Sequence, residues 1–361
     1  MKVKNKKIAI IGTVGIPAKY GGFETLVENL TRYLAKDFDM TVYCSSRAYD
    51  KKLKMYNNAK LEYLDLNAHG IQSILYDIVS LLKAKDFDVL LVLGDSGCIF
   101  LPILKIFSKA KIIVNIDGLE WKREKWSKFA KSFLKLSEKM AVKYADAVVV
   151  DNKVIQDYVA STYAKEGALI AYGADHVERI AISDEVLDQF HFLNDRYAFN
   201  VCRIEPENNL HMILEAFSQQ NTLALVIIGN WKASKYGMDL LEKYATIDHI
   251  HLLAPVYDQK ILNQIRSNAY VYLHGHSAGG TNPSLVEAMY LGLPVFAYGV
   301  DYNRETTENS AVYFLNAMEL QRLIESIDEN YLRSVGKKMS EISNRRYRWS
   351  LISDKYAALF D

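Results

Sequence analysis

The sequence predicts an α/β protein built from two Rossmann-like domains with a cleft between them. Short β-branched runs alternate with helical patterns, the alternation stops near residue 178 and restarts near 197, and 361 residues suffice for two cores. Strands separated by single helices imply parallel pairs joined by right-handed crossovers.

In chain order, the first half reads as a strand IAIIG at 8–12, a helix over 22–36, and strands MTVYCS at 40–45 and LEYLDL at 61–66. A helix at 71–84, a strand DVLLVLG at 88–94, a short helix at 98–109 and a strand KIIVNIDG at 111–118 follow. A long helix at 125–143 and a strand DAVVVDN at 146–152 complete it. The second half repeats the pattern, with strands at 197–203, 223–230, 250–255, 269–275 and 294–299 and helices at 208–219, 236–245, 258–267 and 283–291. The expected domains are 1–180 and 181–343. Residues 344–361 form a C-terminal helix whose Trp349, Ile352, Tyr356 and Leu359/Phe360 have the spacing to pack back on the first domain.

Composition narrows the class. Forty-four basic residues against 43 acidic ones, net +1, exclude a general polyanion-binding surface, although a balanced total can hide a local basic patch. Cys44, Cys98 and Cys202 are far apart and form neither a disulfide framework nor a zinc knuckle. The basic, then apolar start MKVKNKKIAIIG resembles a leader but runs straight into a glycine turn, so it reads as strand one. The longest apolar stretch, Val89 to Phe107, is broken by Gly94, Asp95, Gly97, Pro102 and Lys105 and is not expected to span a bilayer.

Two glycine clusters follow strands and open helices, where backbone amides face an anion or sugar hydroxyls. The first is GTVGIPAKYGGFET at 12–25. It is neither a GxGxxG fingerprint nor a GK[ST] loop. Gly15, Gly21 and Gly22 let a ligand approach, or simply make a tight turn, and Glu24 is either a hydroxyl acceptor or a helix-start acid. The second is HGHSAGGTNPSLVEAM at 274–289. Pro283 suits a first helical turn, so amides around Gly279, Gly280, Thr281, Asn282 and Ser284 form a pyrophosphate site at the positive helix end, with His276 beside it. Glu287, one turn into that helix, suits a ribose diol, or satisfies the helix start.

Arg203 ends a strand and begins RIEPENN. A permanent cation there can stabilise charge developing on a leaving diphosphate; the alternative is a surface ion pair with Glu205 or Glu207. Glu205 is a further strand-end candidate for a catalytic acid, behind Asp117. Asn208 and Asn209 read as an N-cap with one polar ligand contact. In the first domain Asp117 stands just past a buried-type strand and is the leading acid to orient an acceptor hydroxyl, or else an Asx turn held by Gly118. Between Trp121 and Lys143 eight Lys/Arg and two Glu interleave with Trp121, Trp126, Phe129, Phe133 and Leu134, a pattern suited to an anionic bilayer or to a core helix with a solvated face. The DFD triplets at 37–39 and 86–88 lie in helix-to-strand turns and are not expected to bind metal. No nucleic-acid-binding motif is present.

Over nearly its full length the sequence resembles the retaining family 4 glycosyltransferases of the GT-B fold. The segments AIIGTVGIPAKYGGFETLVENL and NIDGLEWKREKW resemble a bacterial subgroup of β-1,4-rhamnosyltransferases. The resemblance implies dTDP-β-L-rhamnose as donor, a GlcNAc- or Glc-diphospho-undecaprenol acceptor at the inner face of the bacterial membrane, capsule or cell-wall polysaccharide as product, and no metal. It assigns Arg203 to the donor diphosphate and Glu287 to the ribose. Two departures stand out: Asn208 replaces the lysine usual after that arginine, and Gly279 replaces the first glutamate of an E-x7-E pattern. Asp117 also stands where many relatives have a cleft histidine. A UDP-hexose or UDP-N-acetylhexosamine donor is the enzyme alternative, and a non-catalytic sugar-nucleotide-binding subunit the alternative outside catalysis.

Overall fold

The first strand, β1 (Lys7–Ile11), is KIAII, with Ile8 to Ile11 all fully buried. A strand apolar on both faces belongs in the middle of a parallel sheet covered by helices on each side. The computed structural model describes residues 6–19, 21–116, 118–122 and 126–361, and the chain divides into two units, Met1–Tyr172 with Trp349–Asp361, and Gly173–Arg348. These limits fall at 172 and 348, where the sequence suggested 180 and 343.

In the first unit β1 is followed by α1 (Gly22–Leu34), β2 (Asp39–Ser45), a hairpin of β3 (Met55–Tyr56) and β4 (Ala59–Leu64), α2 (Gln72–Lys83), β5 (Val89–Leu93), α3 (Leu101–Phe107), β6 (Lys111–Asn115), α4 (Lys128–Tyr144), β7 (Ala147–Val150), α5 (Lys153–Tyr163) and β8 (Ala168–Leu169). The sheet order is β3-β4-β2-β1-β5-β6-β7-β8, parallel apart from the β3–β4 hairpin. From β1 the chain winds one way to β2 and β4, then α2 carries it back past β1 to β5 and onward. Right-handed crossovers therefore put α1 on one face and α2, α3, α4 and α5 on the other.

The second unit holds α6 (Asp184–Gln189), β9 (Tyr197–Val201), α7 (Leu210–Ser218), β10 (Ala224–Ile228), α8 (Lys235–Tyr244), β11 (Ile250–Leu253), α9 (Gln259–Ser267), β12 (Val271–His274), α10 (Pro283–Tyr290), β13 (Val295–Tyr298), α11 (Asp301–Thr306), β14 (Val312–Phe314), α12 (Ala317–Glu325) and α13 (Glu329–Arg346). Its all-parallel order is β11-β10-β9-β12-β13-β14, so winding reverses between β9 and β12 as it does between β1 and β5. Where strand order reverses, no crossover covers the carboxyl ends of the two strands, and ligands of open α/β sheets bind there.

The C-terminal segment is two helices rather than one. Tyr347 leaves helical geometry at φ −121° and ψ 47° because it is buried, its hydroxyl donating to Thr306 O at 2.8 Å and its carbonyl accepting from Ala174 N at 2.7 Å. The final helix, α14 (Trp349–Phe360), packs on α1 of the first unit. Its buried face is Trp349, Ile352, Tyr356 and Phe360, with Phe360 edge-on to Phe38 and the Tyr356 hydroxyl 2.7 Å from Asn115 Nδ2. Phe38 of the first DFD triplet is thus a packing residue, while Asp39 pairs with Lys60 at 3.0 Å and Asp88 accepts from Lys7 N at 2.7 Å. Neither triplet gathers a ligand set: among the described residues no group of three or more His, Cys, Asp or Glu can hold a metal ion.

Asp77 of α2 is buried against the β5–α3 turn, accepting from the Ser96 hydroxyl and the Gly97 amide. Burial pushes its carboxyl up to about 7, against about 3.9 in an unfolded chain. Because the folded state binds this proton more tightly, the carboxylate is neutral at no cost near pH 4 and penalises folding increasingly as pH rises to 7. Asp77→Asn should therefore gain thermal stability over wild type progressively from pH 5 to pH 8, by up to roughly 4 kcal/mol. A gap that stays constant across that range would contradict the assignment.

Candidate functional site

In the second unit the ends of β9 and β12 supply the loops at the reversal of strand order. Arg203, just beyond β9, keeps a half-exposed guanidinium 3.7 Å from Glu205. The ion pair set against a ligand role in the sequence is therefore present, but it is long and leaves most of the guanidinium donors available. Asn208 is buried and its amide donates to Arg203 O at 2.6 Å, so it shapes the Arg203 loop from within. Asn209 occupies the N-cap position of α7 in the left-handed region (φ 50°) without capping by its side chain, which donates instead to Gly275 O at 2.9 Å. A further tie joins the two loops: Ser277 gives its amide and hydroxyl to Glu207 O at 2.8 and 2.9 Å. Gly275 is required here, since a Cβ would lie 2.2 Å from Asn208 O.

The loop after β12 begins with two stacked imidazoles. His274 is wholly buried, neither ring nitrogen has a hydrogen-bond partner among the described residues, and burial pushes its pKa down to about 3. His276 lies over it at 4.3 Å between centroids and 7° between planes. Asn303 Nδ2 fixes the same turn by donating to His276 O at 2.9 Å and Tyr298 O at 2.8 Å.

The start of α10 differs from the sequence expectation. Asn282 Oδ1 accepts from the Ser284 amide at 3.1 Å and from its hydroxyl at 2.7 Å, and the Leu285 amide bonds to Asn282 O. The Ser284 amide is therefore spent on the cap and is not an anion donor. The Ser284 hydroxyl in turn accepts from Tyr272 at 2.8 Å. Gly279 and Gly280 lie in the loop ahead of this cap, before the first helical residue Pro283. Gly279 has φ +124°, and a Cβ there would meet open space, so backbone conformation rather than crowding asks for glycine. Thr281, next in the loop, is buried.

Glu287 sits against a guanidinium and an imidazole that sequence reasoning missed. Its carboxylate takes Arg266 Nη1 on one oxygen and His176 Nε2 at 3.1 Å on the other. Burial alone would raise this carboxyl, but the Arg266 guanidinium and His176 hold it below the ordinary range. Arg266 is itself buried and shared with Asn263 at 2.8 Å and Gln259 at 3.4 Å. In sequence it reads as a base ending a helix, and His176 lies far upstream, so neither carries a local signal. A carboxylate offers about four lone-pair sites, and the triad fixes Glu287 in its charged form with acceptor capacity to spare.

The first glycine loop is held from below by acids of α1. Glu24 Oε1 accepts the Thr13 hydroxyl at 2.9 Å and the Val14 amide at 2.8 Å, and Glu28 Oε2 accepts the Ala18 amide at 2.6 Å. Glu24 stands in the first turn of α1, as the helix-start reading had it, and its carboxylate in addition braces the loop. Gly15 and Gly21 both have φ +129°; a Cβ would lie 2.6 Å from Cys44 Sγ at the first and 1.9 Å from Glu24 Oε2 at the second. Gly22 opens α1. Asp117, the leading acid candidate, lies outside the described residues, as does Lys125.

Comparisons with known proteins bear on the fold and on each half of the chain. Residues 184–348 match the family model described as glycosyl transferases group 1, and residues 5–175 match one described as a domain of unknown function (DUF1972). Residues 184–348 therefore carry a glycosyl transferases group 1 domain, within a chain whose two Rossmann-like units have the GT-B-like fold. The chain is similar in fold to sucrose-phosphate synthase from Thermosynechococcus elongatus, at 17% identity and TM-score 0.83 over 99% of this chain and 98% of that one. HepE of Anabaena, solved with UDP-glucose, matches at 14% identity and TM-score 0.78 over 98% and 99%. The trehalose 6-phosphate synthase of Burkholderia multivorans matches at 12% identity and TM-score 0.71 over 99% and 96%. No curated protein matches the chain in sequence.

Arg266→Met strands a buried carboxylate and should cost about 3–5 kcal/mol in chemical unfolding at pH 7. The depressed Glu287 carboxyl contributes stability above its unfolded value near 4.3 that is lost as pH falls below it, so the deficit should shrink towards pH 3. Adding Glu287→Leu should restore part of the loss; a double variant as unstable as the sum of the singles would count against the coupling.

Proposed function

We propose that this protein is a retaining rhamnosyltransferase. It takes L-rhamnose from dTDP-β-L-rhamnose and places it in β-1,4 linkage on a GlcNAc- or Glc-diphospho-undecaprenol acceptor, for capsule or cell-wall polysaccharide. The observation that carries the donor half is the pairing, at one reversal of strand order, of the available Arg203 guanidinium with the Gly279 and Gly280 amides in the loop ahead of α10. Cation and helix end together suit the two negative charges of a leaving nucleoside diphosphate. Glu287, held ionised by Arg266 and His176, is the acceptor for the donor's ribose hydroxyls. The rhamnose and lipid assignments rest on the resemblance carried by residues 9–30 and 115–126.

In this reading the acceptor hydroxyl oxygen forms a bond to the anomeric carbon on the face from which the diphosphate leaves. The bond from that carbon to the diphosphate oxygen breaks, and the hydroxyl proton passes to that oxygen. Arg203 and the glycine amides take up the charge of the departing group. Asp117 orients the acceptor or steadies positive charge at the anomeric carbon, and Glu205 restrains Arg203. The undecaprenol tail puts the enzyme at the inner face of the bacterial cytoplasmic membrane, and no step uses a metal.

Purified enzyme, with chelator present, is paired with dTDP-rhamnose, UDP-glucose, UDP-GlcNAc or UDP-galactose and with each diphospholipid acceptor, and the lipid product is weighed by mass spectrometry. A deoxyhexose increment with dTDP-rhamnose alone is expected. A hexose or N-acetylhexosamine increment, or dependence on added metal, would overturn the donor or the metal-free assignment. Arg203→Ala should lower kcat/KM about 100-fold or more. Asp117→Asn should abolish turnover while leaving nucleotide binding intact; unchanged turnover would remove Asp117 from the mechanism.

A further inference from the structure

The basic stretch at 121–143 does not present its aromatics as the sequence suggested. Trp121 donates its indole N–H to buried Glu138 at 3.0 Å, and Lys135 lies over its ring at 4.7 Å. Leu134 is buried, and of this stretch's aromatics Phe129 stands out as exposed, at 85%. What α4 offers to solvent is mainly lysine: Lys128, Lys131, Lys135 and Lys139 recur at helical spacing. Beside Phe129 and the exposed Leu136 of α4, further apolar surface of the kind a bilayer needs is on the neighbouring helices. Ile71 and Leu75 are exposed at the start of α2, and Ile103, Ile106 and Phe107 on α3, with Ile71 at 87% and Ile106 at 82%. Helices α2, α3 and α4 share one face of the sheet, and α3 packs on α4.

The charge pattern of this layer identifies its occupant. Across α2, α3 and α4 the only carboxylates are Asp77 and Glu138, and both are buried. Every exposed charge on the three helices is a lysine. A protein surface would be met by acids and bases alike, whereas helices whose own exposed groups are apolar side chains and lysines, the exposed Asp146 just after α4 being paired with Lys105, match acyl chains beneath anionic headgroups. No helix among the described residues is long and apolar enough to cross a membrane, so the contact is with the surface.

We infer that the α2–α3–α4 layer of the first unit docks on an anionic lipid bilayer, with Ile71, Ile106 and Phe129 entering the acyl boundary and the α4 lysines lying against lipid phosphates. The inference rests on the proposed lipid-linked acceptor for its purpose, but its test does not involve the donor or the acceptor.

The full chain is sedimented with extruded phosphatidylcholine vesicles containing either no phosphatidylglycerol or about one part in four. Binding is expected to the anionic vesicles and to fall with salt. The triple variant Ile71→Ser, Ile106→Ser, Phe129→Ser and the triple variant Lys128→Gln, Lys131→Gln, Lys139→Gln should each weaken binding about tenfold or more, the lysine set also flattening the salt dependence. All substituted side chains are on the surface, and circular dichroism checks that both variants fold. Absence of wild-type binding, equal binding by the apolar variant, or equal binding to neutral vesicles would each overturn the inference. So would a wild-type dimer that the apolar substitutions dissociate without changing vesicle binding, since the face would then belong to a second copy. Transfer to a short-chain soluble acceptor is measured in parallel: its failure with every donor would sink the transferase reading and leave the docking result standing.

Discussion

Both sheets obey one constraint, that a parallel sheet must be covered on both faces by its own crossovers, and a chain winding first one way and then the other cannot cover the point where it turns. In the first unit that point is beside β1 and β5, in the second beside β9 and β12. The loops after those strands carry the glycines, because backbone there must turn sharply beside another strand or turn: Gly12 faces Leu93 O, and Gly275 faces Asn208 O. The location of both glycine clusters thus follows from handedness and sheet burial before any ligand is considered.

The two loops nonetheless satisfy themselves in opposite ways. The β1 loop spends amides on the protein's own carboxylates, Glu24 and Glu28, so an anion arriving there would meet negative charge already in place. The β12 loop gives its Ser277 amide to the backbone oxygen of Glu207, and the carboxylate of Glu287, on the helix that follows, is bound by the buried Arg266 guanidinium and by His176. Under the proposed function this asymmetry supports the second unit as the place for the donor's diphosphate and the first as the place for uncharged groups such as sugar hydroxyls.

Much of this was legible in the sequence and some was not, for identifiable reasons. Strands such as VLLVL of β5 and ALVII of β10 are buried on both faces and announce themselves as continuous apolar runs. The short edge strands are less legible: β3 is two residues of a hairpin, and β8 and β14 take only two and three residues of the apolar runs ALIAY and AVYFL. The break at Tyr347 has no glycine or proline to mark it, being set by a tertiary bond to Ala174. At the candidate site, strand ends and turn residues located Arg203, Gly279 and Glu287. Arg266 and His176 were invisible because a charge partner is defined by what it touches, and the contacts span 21 and 111 residues of chain. Of Asn208 and Asn209, read together as an N-cap with one polar ligand contact, Asn209 holds the N-cap position of α7 and Asn208 donates its amide to the Arg203 carbonyl in the same loop.

The basic stretch at 121–143 shows why composition misplaces function even when it finds the right region. Trp121 and Phe129 look equivalent in sequence, yet one closes over Glu138 and the other points outward. A buried carboxylate needs donors, and Trp121 with Tyr158 and Tyr163 supplies them, which withdraws the tryptophan from the surface. The same burial removes Glu138 from the outer field, as burial of Asp77 does on α2, and both acids are satisfied inward. The layer's exposed face is left uniformly cationic by the packing of its two acids, a property no count of lysines and glutamates along the chain contains.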